Sequence, residues 1–171
     1  CALPDLVFDQ GIRIGEHWTL MGYFLYGGYS LIESGNKELA QHFVQRLKGT
    51  AEVFENSYNL VQSQRLNAFY CLKYREIEDV LKTTENTISI SIKSNHIMTV
   101  IESYCIRSIA FSLESNYDEA VNNLSEVKKY LKGIKLPLFL TRYLIAKSYI
   151  EIAELKFNKN TDGNEMLKTT K

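Results

Sequence analysis

The residues able to do chemistry are spread thinly along the chain. His17, His42 and His96 are its 3 histidines, and none has a second histidine or cysteine three or four positions along its own helix, the spacing that sets two zinc ligands on one face. They read as surface or helix-end histidines. Cys1, Cys71 and Cys105 form no CxxC pair and leave an odd count, which fits reduced thiols better than a disulfide framework. Cys71 and Cys105 read as small core residues. A serine nucleophile would need a GxSxG elbow, and phosphate binding a GxxxxGK[ST] or GxGxxG loop; the sequence has none of these. The carboxylates Glu76 and Glu78, and Asp118 and Glu119, stand at turns or helix starts. There the helix dipole favours negative charge by about 0.3–1 kcal/mol without any catalytic role. The run from Lys128 to Lys132 matches the dipole at the end of a helix in the same way. Asn123-Leu124-Ser125 has the glycosylation pattern but falls inside a predicted helix. The expectation is a chain that is not an enzyme, with no catalytic residues, no metal and no cofactor.

Composition narrows the partners. The 171 residues are 45% hydrophobic, enough for one domain with a real core. Lysine plus arginine and aspartate plus glutamate number 20 each, so no net field steers the chain to nucleic acid or an anionic membrane. No window reaches the roughly 18 consecutive apolar residues of a membrane span, and the first residues lack the order of a signal peptide. A cytoplasmic protein is expected, with a protein or peptide as partner, no direct nucleic acid and no membrane; a homo-oligomer is compatible with the composition. The chain opens on Cys1 and enters a helical pattern with little preamble, as an excerpt from a longer protein would.

The elements that must position any binding residues are helices. Residues 1–15 are irregular, with Pro4, Gly11 and Gly15 arguing for a linker or the remnant of a preceding repeat. The apolar spacing predicts helices over Glu16–Glu33, with Trp18, Leu20, Met21, Phe24 and Leu25 in a buried pattern, and over Lys37–Val53, Ser57–Tyr74, Ser94–Glu114 and Tyr117–Lys132. Ser34-Gly35-Asn36 closes the first of these. A weaker helix is expected from Glu76 to about Ser89, because its threonines are poor helix formers and Ile88, Ile90 and Ile92 alternate like a strand. Gly133 ends the sixth helix, and Pro137 opens a seventh that reaches Phe157. Residues 158–171 read as a polar tail that frays.

Registering the chain on itself at forty residues places turns at Gly35, Arg75 and Ser115. Phe24, Gln64, Tyr104 and Leu144 then align, and four residues on Gly28, Ala68, Ser108 and Ser148 are all small, as a close helix crossing requires. Gly27 has no reading from this pattern. In the second helices Ala40, Val80 and Ala120 align, followed by Val44, Thr84 and Leu124. In the best unit the series is Tyr104, Ser108, Phe111, Tyr117, Ala120, Leu124 and Val127. That series resembles the tetratricopeptide repeat, over residues 16–157. The long period, and the sequence from Gly11 to Trp18, resemble the version found in maltose-activator-class signalling ATPases and related bacterial regulators. The resemblance implies an all-α fold: a right-handed superhelical array of antiparallel helix hairpins, a TPR-like solenoid of about seven helices.

The same resemblance implies that the groove lined by the first helices receives a peptide or protein domain. Following the register, the candidate groove residues are Tyr29, Arg65, Phe69, Lys73, Glu102, Arg142 and Tyr149. Aromatics supply contact area and arginine a planar fork, although the ladder of Tyr29, Phe69, Ile109 and Tyr149 could equally pack as core. The lysine and asparagine clamp of chaperone-tail-binding repeats is not visible. The expected role is a protein-interaction or regulatory segment of a larger signalling or transcription-regulatory protein. The alternatives are a stand-alone adaptor or co-chaperone, and a sensor binding a small inducer in a closed pocket near Tyr29, Phe69 and Tyr149.

Overall fold

Every twenty residues the backbone does the same thing. Positive φ angles occur at Gly15, Gly35, Glu55, Arg75, Asn95 and Ser115, between 43° and 80°. Each marks a turn between two helices. The computed structural model describes residues 5–132 and 137–168, without the side chains of residues 5, 7 and 157–168. The helices are α1 (Asp5–Ile14), α2 (His17–Ser34), α3 (Lys37–Phe54), α4 (Ser57–Lys73), α5 (Ile77–Lys93), α6 (Ile97–Leu113), α7 (Tyr117–Leu131) and α8 (Pro137–Lys168). No strand occurs among the described residues. The fold is all-α, a helical repeat array in which helices pack on their neighbours in sequence.

The junctions share one bonding scheme. At five of the junctions the amide one residue past the left-handed position returns to a carbonyl five residues back: Glu16 to Gly11, Asn36 to Leu31, Glu76 to Cys71, His96 to Ser91 and Asn116 to Phe111, at 2.8–3.1 Å. This is the bond that closes a helix through a left-handed residue and satisfies an orphan carbonyl. At Glu55 the amide bonds instead to Ala51. The following helix starts at once. The side chains of Asn36, Asn56 and Asn116 accept hydrogen bonds from the amides of Leu39, Asn59 and Glu119, capping α3, α4 and α7.

Packing divides the chain into unit 1 (Cys1–Ser103) and unit 2 (Tyr104–Lys171). In unit 1 the core holds Leu20, Phe24, Ile32, Phe43, Leu47, Val61, Leu66 and Val80. Gly27 and Gly28 explain how α2 packs on two helices. A Cβ on Gly27 would lie 2.6 Å from the Phe43 ring on α3, and one on Gly28 would lie 2.7 Å from Leu66 on α4. Gly27, which the register left without a reading, is thus where α2 leaves room for the Phe43 ring of its hairpin partner. In unit 2 the buried Ser108 hydroxyl donates to the Ala120 carbonyl of α7 at 3.0 Å, and α8 buries Phe139, Ala146 and Ile150.

Four expectations from sequence change. Residues 5–14 form a helix, which the linker alternative for this stretch does not describe and the remnant-of-a-preceding-helix alternative allows: Phe8 is buried edge-to-face on Phe24, and Leu20 fills the space beside Gly11. Helix α5 continues to Lys93 through the alternating isoleucines, because Val80, Thr84, Thr87, Ile88 and Ser91 make one buried helical stripe. The hydroxyls of Thr84 and Thr87 bond back to the carbonyls of Val80 and Thr83 at 2.7 Å, which lets threonine sit in the core. The backbone of α8 runs on to Lys168, beyond the boundary expected at Phe157. Ser148, unlike Gly28, Ala68 and Ser108, is exposed. Pro4 and Gly133 lie outside the described residues.

Ser108→Leu should lower stability in urea unfolding by about 1–3 kcal/mol through overpacking. Ser108→Ala, which removes only the bond to Ala120, should cost roughly 1 kcal/mol.

Candidate partner-binding face

Helical spacing sorts the first helices of unit 1 onto one face. On α2 the positions Trp18, Gly22, Tyr26 and Tyr29 follow one another at steps of four, four and three; on α4 Tyr58, Gln62, Arg65 and Phe69 do the same at four, three and four. Glu102 stands on α6.

The deepest part is an ion pair. Arg65 Nη1 lies 2.8 Å from Glu102 Oε2, with the side chains only 14% and 10% exposed. The Arg65 guanidinium also sits over the Tyr29 ring at 5.7 Å, and Tyr29 packs edge-to-face on Phe69 at 5.1 Å. Burial by itself would lower the arginine's pKa; Tyr29, Glu102, Tyr58 and Tyr26 around it offset this and hold it above its ordinary value. The guanidinium therefore stays charged, and Glu102 is its counter-ion in a place poor in water.

A second aromatic run lies beside the pair. Trp18 stacks at a tilt on Tyr58 at 4.9 Å, Tyr58 meets His96 edge-on at 5.7 Å, and His17 bridges Trp18 and Phe54 at 5.1 and 5.0 Å. Trp18 is 62% exposed and Tyr26 72%. Between them a Cβ on Gly22 would meet nothing within 4 Å. The result is an open notch with an aromatic ring one helical turn to either side.

Four of the seven residues chosen from sequence come together here: Tyr29, Arg65, Phe69 and Glu102. Lys73 is exposed at the end of α4. Arg142 and Tyr149 belong to α8, in unit 2. In the aromatic ladder Ile109 is buried core, while Tyr29 and Phe69 are half-buried. Trp18, Tyr26, Tyr58 and His96 were missed as site residues. Trp18 was counted toward a buried pattern, yet its four-residue step to Gly22 and then to Tyr26 marks a different face from that of Leu20, Met21 and Phe24.

The opposite face of α4 carries an open groove of about 620 Å³, formed with α3 and α5 and lined by Gln45, Lys48, Glu52, Asn67, Asp79 and Lys82, among others. Its charges alternate in sign. The buried Cys71 thiol is pushed up to about 12 by burial and by the nearby charge of Glu76, so it stays protonated and unreactive at neutral pH. Among the described residues no group of three or more His, Cys, Asp and Glu could hold a metal ion, and no helix is long and apolar enough to cross a membrane. Comparison with known proteins finds no matching family model, no matching curated protein and no matching solved structure.

Arg65→Met leaves Glu102 buried without its cation and should cost about 3–5 kcal/mol in urea unfolding. The double replacement Arg65→Met with Glu102→Leu should cost less than either single change, since it removes both charges together.

Proposed function

We propose that the chain is a non-catalytic, protein- or peptide-binding helical repeat segment of tetratricopeptide-like type, serving a larger signalling or transcription-regulatory protein in the cytoplasm. The observation that carries this reading is the arrangement on α2 and α4: exposed Trp18 and Tyr26 flank the Gly22 notch beside the fixed Arg65–Glu102 pair. Large rings held rigidly at a surface supply contact area at low entropic cost, and a buried charged pair at their base supplies directionality. The recurrence of the junctions every twenty residues supports the repeat reading. The small residues at Gly28, Ala68 and Ser108, all buried, support it too. A polypeptide ligand fits this face better than a small inducer, because Tyr29 and Phe69 close on each other while the rings with free area point outward.

Trp18 is the only tryptophan, so its fluorescence reports the face directly. Peptides selected from a random library on the intact chain should shift Trp18 emission on binding. The same peptides should bind Tyr26→Ala at least tenfold more weakly with an unchanged melting temperature. Gly22→Ala should raise stability by up to about 1 kcal/mol through helix propensity and yet weaken binding by filling the notch. Selection of no peptide, or peptides indifferent to Tyr26 and Gly22, would count against this face.

A further inference from the structure

Two ring contacts fix how α2 and α4 lie along each other. Trp18 meets Tyr58 and Tyr29 meets Phe69, each pair forty residues apart, so Gly22, between the two α2 rings, stands opposite Gln62 on α4. Gly22 brings no side chain to bond it. Gln62 is only 6% exposed, and its Oε1 is buried with no hydrogen-bond donor among the described residues. One helical turn along the same face, Arg65 uses Nη1 on Glu102, while its Nε–H is buried with no acceptor among the described residues. Buried polar groups are costly to leave unmatched, and such exceptions call for an explanation. These two are of opposite kind: the carbonyl oxygen can only accept and the Nε–H can only donate. One ligand group that answers both must carry a donor and an acceptor side by side. A carboxylate has no donor and an ammonium no acceptor. In an extended peptide the N–H and C=O of a single residue point the same way, which is how paired strands exchange two bonds.

We infer that the notch over Gly22 takes the main chain of an extended peptide, one residue of which donates its N–H to Gln62 Oε1 and accepts from Arg65 Nε at its carbonyl. This rests on the reading of α2 and α4 as a peptide-binding face and adds how the peptide is held. Glycine is the residue that lets a ligand backbone approach a helix closely, and nothing lies within 4 Å of where a Gly22 Cβ would be. The helix rises about 12 Å from Trp18 to Tyr26, the length of about four extended residues. Side chains on either side of the gripped residue therefore reach the two exposed rings. Both gripping atoms are closed to solvent in the free chain, so the peptide reaches them when Tyr26, 72% exposed and close enough to act on the Arg65 charge, turns aside. The last torsion of a glutamine is broad, and the Gln62 oxygen can follow the arriving N–H without any shift of α4. Main-chain recognition of this kind tolerates many side chains at the gripped residue but not proline, which has no N–H.

The probes are the peptides selected on the intact chain, each remade with one amide at a time replaced by an ester, which deletes the N–H and keeps the shape. Followed by Trp18 emission, the ester at one position should weaken binding to the unsubstituted chain at least tenfold. Against Gln62→Met the same ester should cost less than twofold, because the acceptor is already gone. Gln62→Met should keep or raise the melting temperature, since it removes an unpaired buried oxygen. An ester scan that is flat at every position overturns the main-chain grip while leaving the peptide-binding face standing, as does a tenfold loss of equal size in both proteins. A melting temperature lowered by several degrees in Gln62→Met places its oxygen in a bond within the chain and overturns the grip as well. Peptides indifferent to Tyr26, or no selected peptide at all, remove the face and the grip together.

Discussion

The constraint on which the rest of the structure depends is the short left-handed junction. A helix can turn back on itself in two or three residues when one of them adopts a left-handed conformation and the residue after it leads into the next helix. Here that happens at 15, 35, 55, 75, 95 and 115. Glycine occupies the first two of these positions, and Glu55, Arg75, Asn95 and Ser115 occupy the others at a strain of roughly 1–2 kcal/mol each. Asparagine tolerates this best. At Arg75, Asn95 and Ser115 the returning bond from the next residue fixes the conformation. Helices of nearly equal length between such junctions bring the same face round in each repeat.

Equal phase turns packing into a repeated problem with local solutions. In α2 the solution is a pair of glycines, one against Phe43 and the other against Leu66; in α6 it is a serine whose hydroxyl is satisfied by the Ala120 carbonyl. A polar layer also lies between the first helices. Arg65 and Glu102 neutralise each other there, but Asn59 is fully buried with both amide atoms unpaired among the described residues. That is a locally costly position, on the order of 1–3 kcal/mol, and it makes the polar seam less stable than the apolar core around Leu47 and Leu66.

Much of this was legible in the sequence. The expected boundaries of the helices between Glu16 and Lys132 lie within about three residues of those observed, α5 excepted, because glycine, asparagine and the 3.6-residue apolar period are local signals. The turns at Gly35, Arg75 and Ser115 came from the register; Glu55 and Asn95 did not, since the register marked only the turn within each hairpin, and a left-handed glutamate leaves no mark in composition. Helix α1 was hidden by Gly11, whose missing side chain is replaced by Leu20 from another helix, a tertiary effect. Of the candidate site, the register found Tyr29, Arg65, Phe69 and Glu102 but not Trp18 and Tyr26. Apolar periodicity marks rings as buried and does not tell a buried stripe from an exposed aromatic one on the same helix. Ser148 shares the register position of Ser108 yet is exposed where Ser108 is buried, because burial is set by which helix packs on a face and not by the period.

The central claim, that left-handed junctions set the register of the helices, is tested most directly by the urea-unfolding midpoints of a reciprocal pair, Gly35→Ala and Ser115→Gly. Gly35 has φ of 80° and nothing within 4 Å of a Cβ, so alanine there reports backbone strain alone and should cost about 1 kcal/mol or more. Ser115→Gly relieves strain at the equivalent position and should raise stability by roughly 0.5 kcal/mol, the difference between the strain removed and the entropy that glycine adds to the unfolded chain. A neutral Gly35→Ala together with a destabilised Ser115→Gly would contradict the account.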